Sequence, residues 1–200
     1  MYYNWCTFME PLHEKIEVQK ENNIREIVKF TLIALVIFLP LRFFVIEPFL
    51  VVGTSMDTTF GNGQYLMVDQ VSYHFHDPSR DDVIIFKYPA SPEKYLIKRI
   101  IGLPGETVIS DKGKITIQNA AHPTGFPLNE DYVLPEHRTF DSFQITLGPT
   151  EYFVMGDNRG VSSDSRIWGP LESKYIVGRP VLRLLPLSKI GLMPGASIVN

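Results

Sequence analysis

Hydrophobic positions fall into two textures along the chain. From Ile27 to Ile46, 20 residues carry only two charges, Lys29 and Arg42. As a helix rising about 1.5 Å per residue, this run spans roughly 30 Å, the thickness of a bilayer core. Lys29 and Arg42 flank an uncharged centre, Phe30–Leu41, and sit near the ends, where long side chains reach the headgroups. Pro40 is placed to kink the outer end. Past Glu47-Pro48 the apolar residues come instead in short runs separated by Gly, Pro, Asp and Asn: Phe49–Val52, Gln64–Val71, Asp82–Lys87, Tyr95–Ile101, Glu106–Ser110, Lys114–Gln118, Asp131–Leu134, Ser142–Leu147, Glu151–Met155 and Tyr175–Leu185. Such runs predict strands, and Asp111-Lys-Gly113 predicts a hairpin turn between two of them. No useful helical period appears past residue 60, although residues 10–26 mix Glu, Lys, Ile and Val at loosely helical spacing. The expectation is an all-β domain of short antiparallel strands preceded by a single N-terminal transmembrane helix. Residues 1–26 form the leading segment, 27–46 the anchor and 47–200 the β-rich domain, enough chain to bury a core. Ala120–Pro127 is a Pro- and Gly-rich surface loop, and Leu184–Pro194 is apolar but too broken to span a bilayer.

Two other readings compete for 27–46. A cleavable leader suits the length of the uncharged centre, but the segment before it is long and carries Glu10, Glu14, Glu17, Glu21 and Glu26, and no small-x-small site follows. A buried helix of a soluble protein is the other. The uncleaved anchor is preferred. Lys15, Lys20, Arg25 and Lys29 precede the uncharged centre against Arg42 just after it, which puts the N-terminus on the cytoplasmic side. The formal net charge is -3 with no basic block, so nothing calls for nucleic acid as a partner. Cys6 is the only cysteine, which excludes an intrachain disulfide and fits a reducing compartment.

Candidate chemistry begins at Ser55, directly after an apolar run that stops at Gly53. Alone it is a turn residue, and the second glycine of a nucleophile elbow is replaced by Asp57. Of the histidines, His13 precedes the anchor, while His122 and His137 lie in Pro-flanked loops with no aspartate placed to complete a triad. His74-Phe-His76-Asp77 reads as a polar loop rather than a metal site. Lysine is the better base. In Tyr95-Leu-Ile-Lys-Arg-Ile-Ile101 a strand period of two puts Lys98 on one face with Leu96 and Ile100. Desolvation disfavours the ammonium, and only a neutral amine takes a proton from a hydroxyl. A lysine snorkelling from an edge strand explains the same run. Arg99 is expected to face the other way and stay charged. Met155–Gly169 gathers small polar residues and opposite charges; Asp157 with Arg159 or Arg166, and Asp164 with Arg166, are the ion pairs expected to stiffen it.

Taken in order, the anchor, Gly53-Thr-Ser-Met56, Gln64–Val71, Tyr95-Leu-Ile-Lys-Arg-Ile-Ile-Gly-Leu-Pro-Gly-Glu106 and Gly156-Asp-Asn-Arg through Asp164-Ser-Arg166 resemble the type I signal peptidases. These are membrane-bound Ser/Lys endopeptidases that remove signal peptides from exported preproteins. The likeness runs from residue 27 to about 185, and the ordered set is far more specific than any one motif. It implies that Ser55 is the nucleophile and Lys98 the general base. It further implies that Ser162 orients the lysine, that Asp164 and Arg166 form a supporting ion pair with Asp157 in the same motif, and that Phe49, Val51, Leu96 and Ile97 line pockets for small residues before the cut. No cofactor and no metal is implied. The partners are preprotein signal peptides and the lipid bilayer, and the location is the cell membrane, single-pass, with the catalytic domain on the outer face.

The chain departs from the family pattern at two positions. Some members carry a serine two positions before the nucleophile, whose hydroxyl completes the oxyanion hole. Gly53 stands there, so backbone N–H groups of Gly53 and Ser55 are the expected donors; a lost oxyanion donor costs roughly 3–4 kcal/mol. Thr58 replaces a usual proline. From Ile46 to Ser55 is nine residues, at most about 30 Å of extended chain, so the nucleophile is expected to work close to the bilayer. A self-cleaving Ser/Lys repressor is a second reading, weakened by the anchor, and an anchored non-catalytic peptide-binding domain is a third.

Overall fold

The computed structural model describes residues 23–37 and 46–195. The chain divides into two units, Met1–Phe44 and Val45–Asn200. In the first, residues 23–37 form helix α1, with Ile27, Val28, Phe30, Leu32, Ile33, Val36 and Ile37 all exposed. Among the described residues no helix is long and apolar enough to cross a membrane. The expected span overlaps α1 over 27–37, and its remainder to residue 45 lies outside the described residues, as do residues 10–22 of the helix expected before it.

The second unit is built of antiparallel strands in two sheets. The larger holds β1 (Ile46–Leu50), β2 (Tyr65–Asp69), β11 (Ile176–Leu185), β3 (Val83–Tyr88), β4 (Ser91–Gly102), β9 (Glu151–Met155) and β10 (Leu171–Glu172) in that spatial order, with β12 (Gly191–Leu192) pairing on β11. The smaller runs β7 (Phe126–Pro127), β6 (Lys114–Gln118), β5 (Thr107–Asp111), β8 (Phe143–Thr146). A single four-residue helix, α2 (Ser165–Trp168), follows β9. The predicted turn at Asp111–Lys114 is a two-residue hairpin with Lys112 at φ 49 and Gly113 at φ 78, the left-handed pair that matches strand twist.

Several elements differ from the sequence expectation, among them Phe126–Pro127, which ends the expected surface loop and pairs on β6 as β7. The first strand starts at Ile46 and runs through Pro48; β1 lies at the sheet edge, where a missing N–H breaks no interior ladder bond. Asp131–Leu134 is a turn, closed by Val133 N–H donating to Glu130 O at 3.0 Å. Its apolar residues are used for packing: Val133 is buried and Tyr132 packs on the cluster of Ile101, Ile117, Phe153 and Met155.

Three apolar clusters hold the unit together. One joins Ile101, Phe153 and Met155 of the larger sheet to Val108, Ile115 and Ile117 of the smaller; a second joins Ile84, Phe86, Ile100, Val154 and Leu171. The third gathers Val51, Met56, Phe60, Leu66 and Val83, and it matters most for the site, because Met56 and Phe60 belong to the loop that carries Ser55. Burying side chains of this size is worth about 1.5–3 kcal/mol each, so that loop is pinned from within.

Candidate active site

The Ser55 loop leaves β1 and returns at β2. At its neck Val51 N–H donates to Gln64 O and Gly63 N–H donates to Val51 O, both at 2.9 Å. Past the neck Gly53 takes φ +98, a conformation open to glycine and costly for other residues. Asp57 N–H then donates to Thr54 O and Phe60 N–H to Met56 O. With Met56 and Phe60 facing inward, Ser55 is left half-buried on the outer side.

Lys98 comes from β4, paired across from Ile84, and is only 3% exposed. Its Nζ donates to Ser55 Oγ at 2.6 Å. Burial pulls the ammonium down to about 8, opposed by the carboxylates of Asp164 and Asp157 and helped by Arg166. A lysine with that poise holds a far larger share of neutral amine near neutral pH than an ordinary lysine, and the neutral amine is the form that proton abstraction requires. The snorkelling alternative does not hold, since the amine points to Ser55 and not to solvent.

The Gly156–Gly169 segment closes over both. Asn158 N–H donates to Ser55 O at 3.0 Å, and a methyl group added at Gly156 would collide with Ser55 O and Ser162 Oγ. Asp164, fully buried, accepts Gly156 N–H at 3.0 Å and both Nε and Nη2 of Arg166, at 2.8 and 2.9 Å, while capping α2. Arg166 also donates to Arg159 O, Thr139 Oγ1 and Asp141 Oδ2. The Asp164–Arg166 pair is therefore as the sequence suggests. Asp157 is not: it pairs with neither Arg159 nor Arg166 but with Arg99, through Nε at 2.9 Å and Nη2 at 2.7 Å, and it also accepts Thr59 Oγ1 at 2.6 Å. Register is the reason, since Arg99 lies opposite Met155 in the β4–β9 ladder. Arg159 turns instead to Glu130 at 2.5 Å. Ser162 is buried against Gly156, and its Oγ has no hydrogen-bond partner among the described residues.

Phe49, Val51, Leu96 and Ile97 all line a cavity of about 160 Å³ that also reaches Ser55, Lys98 and Tyr95. Phe49 meets Tyr95 edge to face, with ring centroids 5.2 Å apart. On the other side of Ser55 the two expected oxyanion donors part company. Gly53 N–H already donates to Asn62 Oδ1 at 3.0 Å, whereas Ser55 N–H meets no acceptor among the described residues. Asn62, Thr59, Arg99 and Glu130 were not assigned a role by sequence; only Arg99 carried a signal, its alternation with Lys98. No cluster of three or more His, Cys, Asp and Glu side chains is arranged to hold a metal ion among the described residues.

Comparison with known proteins adds a consistent set of likenesses. The family model described as signal peptidase, peptidase S26, matches residues 24–185. A probable signal peptidase I-1 of Synechocystis sp. is 37% identical over 191 residues, covering 88% of this chain and 93% of that protein. Signal peptidase I of Bacillus licheniformis is 33% identical over 187 residues, covering 88% and 97%. Among solved structures, a signal peptidase I from Enterococcus faecalis V583 shares 32% identity, covering 52% of this chain and 97% of that chain, with a TM-score of 0.44.

Proposed function

The chain belongs to the S26 family of signal peptidases, and on that premise we propose that it is a membrane-anchored serine endopeptidase using a Ser55/Lys98 dyad. As a signal peptidase it is a serine peptidase hydrolase whose substrates are preproteins bearing signal peptides. The observation that carries the dyad is the 2.6 Å approach of a buried Lys98 Nζ to Ser55 Oγ, with the amine poised near 8.

In the proposed mechanism neutral Lys98 takes the proton of Ser55 as Oγ attacks the scissile carbonyl. The developing oxyanion is met by Ser55 N–H. The Lys98 ammonium then protonates the departing amine, and water, activated by the same lysine, releases the acyl group. Ser162 orients the amine. Its buried hydroxyl lacks a partner, a deficit of about 1–3 kcal/mol that a bond to the lysine during turnover removes. Asp164 and Arg166 hold Gly156 and hence the carbonyl of Ser55, and Asp157 holds the strand of Lys98 through Arg99. The substrate lies extended beside Phe49–Val52 and Tyr95–Lys98, with backbone pairing for affinity and alternate side chains in the apolar cavity. A cavity of about 160 Å³ walled by Phe49, Val51, Leu96 and Ile97 suits alanine-sized residues before the cut.

Anchoring belongs to the same proposal. Residues 27–46 span the membrane once, residues 1–26 stay cytoplasmic and residues 47–200 work on the outer face. The apolar run of the sequence supports this, together with exposed Leu187, Ile190 and Leu192 beside β11 and β12 on the sheet that carries Ser55. Detergent-solubilised protein and a preprotein provide the test. Wild type should cleave after a small residue, and Ser55→Ala and Lys98→Ala should not; full cleavage by either variant would sink the dyad.

A further inference from the structure

The two arms of the Ser55 loop are held very differently. The later arm is fixed from inside: Met56 and Phe60 are buried, Thr59 Oγ1 donates to Asp157, and Thr59 O accepts from Arg183 at 2.7 Å. The earlier arm, Val52-Gly53-Thr54, is exposed throughout. Val52 is 82% exposed, and nothing lies within 4 Å of where a Cβ on Gly53 would stand. Its hydrogen bonds are two: Asp57 N–H to Thr54 O at 3.1 Å, inside the loop, and Gly53 N–H to Asn62 Oδ1 at 3.0 Å, across it. Asn62 is thus the side chain that ties this arm to the opposite one.

We propose that Asn62 is a positioning residue for hydrolysis, holding Gly53 N–H so that the turn at Gly53 aims Ser55 N–H at the oxyanion. The inference rests on the Ser/Lys reading. Ser55 N–H belongs to the Thr54–Ser55 peptide plane, and the orientation of that plane follows from the backbone angles of Gly53 and Thr54. Glycine in the left-handed region has the widest choice of conformations in the chain. An exposed arm with a glycine pivot therefore needs an external restraint to keep one donor aligned. With Gly53 N–H engaged, Ser55 N–H is the donor left to stabilise developing charge. Preorganised donors act on the transition state rather than on substrate binding, and a misplacement of about 1 Å at a reacting centre can cost about 100-fold in rate.

The test uses the full chain in detergent with a preprotein substrate, a peptide boronate that forms a tetrahedral adduct with serine, and the same peptide with an uncleavable scissile bond. Asn62→Ala should lower kcat about 10- to 100-fold with KM within about threefold. Boronate affinity should fall at least about tenfold while the uncleavable peptide binds within about threefold. The thermal midpoint is recorded alongside, and if Asn62→Ala does not fold, Asn62→Ser, which leaves only a shorter acceptor, takes its place in the same comparison. A kcat within about twofold of wild type, or equal losses for boronate and uncleavable peptide, overturns the proposal. Wild type and Ser55→Ala run in parallel: cleavage by Ser55→Ala would defeat the dyad itself, whereas an inert Ser55→Ala beside a fully active Asn62→Ala would defeat only the role of Asn62.

Discussion

Asp157 grips Arg99 through both guanidinium edges, Nε at 2.9 Å and Nη2 at 2.7 Å, in a pair where neither side chain is more than 1% exposed. Arg99 directly follows Lys98, so one strand presents the amine to Ser55 and clamps itself in place with the next residue. The same carboxylate accepts Thr59 Oγ1, four residues past Ser55. The Ser55 loop, the Lys98 strand and the Asp-Asn-Arg segment meet at that one group.

Removing it should be felt as stability before chemistry. Asp157→Ala leaves the Arg99 guanidinium buried without its partner, and breaking one side of a buried pair costs about 3–5 kcal/mol. Urea unfolding should show that loss, and a change below about 1 kcal/mol would mean the pair is not holding the three segments. Asp157→Asn keeps one acceptor oxygen for Arg99 and should lose less.

The proposed dyad predicts that activity is a function of pH. Burial lowers Lys98 to about 8, so kcat/KM should climb tenfold per unit below that value and level off above it; a flat profile from about 6 to 9 would rule out Lys98 as the base. Stability follows the same group with a definite sign. The folded pKa lies below the ordinary lysine value of 10.5, so the unfolded chain holds more protons between about 8 and 10.5, and stability conferred through this residue rises with pH over that window. Lys98→Met should therefore be inactive yet more stable than wild type near pH 7, by on the order of 3 kcal/mol before the lost Ser55 bond is counted. That advantage should shrink as pH rises through the window. Paired melts at pH 7 and 10 measure it.

Gly156→Ala should be far worse than an alanine substitution in a turn. Its methyl has no room between Ser55 O and Ser162 Oγ, and these atoms belong to the nucleophile's own peptide and to the segment that supports it. Overpacking costs about 1–3 kcal/mol, and displacement of Ser55 should lower kcat by about 100-fold. Single-turnover cleavage gives the readout, and near wild-type turnover would show that Gly156 tolerates a side chain.

The exposed apolar side chains at the β11–β12 edge predict a difference between substrates. Leu187 is 74% exposed and Leu192 80%; placing glutamate at both should slow cleavage of a preprotein in anionic-lipid vesicles several-fold, because charge at a bilayer surface is both desolvated and repelled. Cleavage of a soluble peptide in detergent should change by less than about twofold. Equal effects on both substrates would point to a folding defect instead.

Much of this was legible in the sequence because it depends on neighbours along the chain. Period-two alternation is a property of extended backbone, so most strands were marked by it, and Lys98 between Leu96 and Ile100 was placed on an apolar face with Arg99 opposite. The hairpin at Asp111–Lys114 followed from the two residues that must turn left-handed. Ser55, Lys98, Asp164 and Arg166 stand out in the sequence through ordered motifs, and the Asp164–Arg166 contact follows from two residues of separation. Asp131–Leu134 has the pattern of a strand and is a turn, because a short apolar run such as Tyr132–Leu134 has the same composition whether it joins a ladder or packs beneath a loop.

What only the tertiary structure decided is which groups meet across long separations. Asp157 had two arginines close in sequence and pairs with one 58 residues away, because the β4–β9 register sets that distance and local order does not. Gly53 by sequence offered a backbone donor to an oxyanion, and in the fold that donor is already taken by Asn62 across the loop. A chain fixes which side chains are charged, apolar or free to turn; the packing of distant strands fixes which hydrogen bonds those groups have left to give.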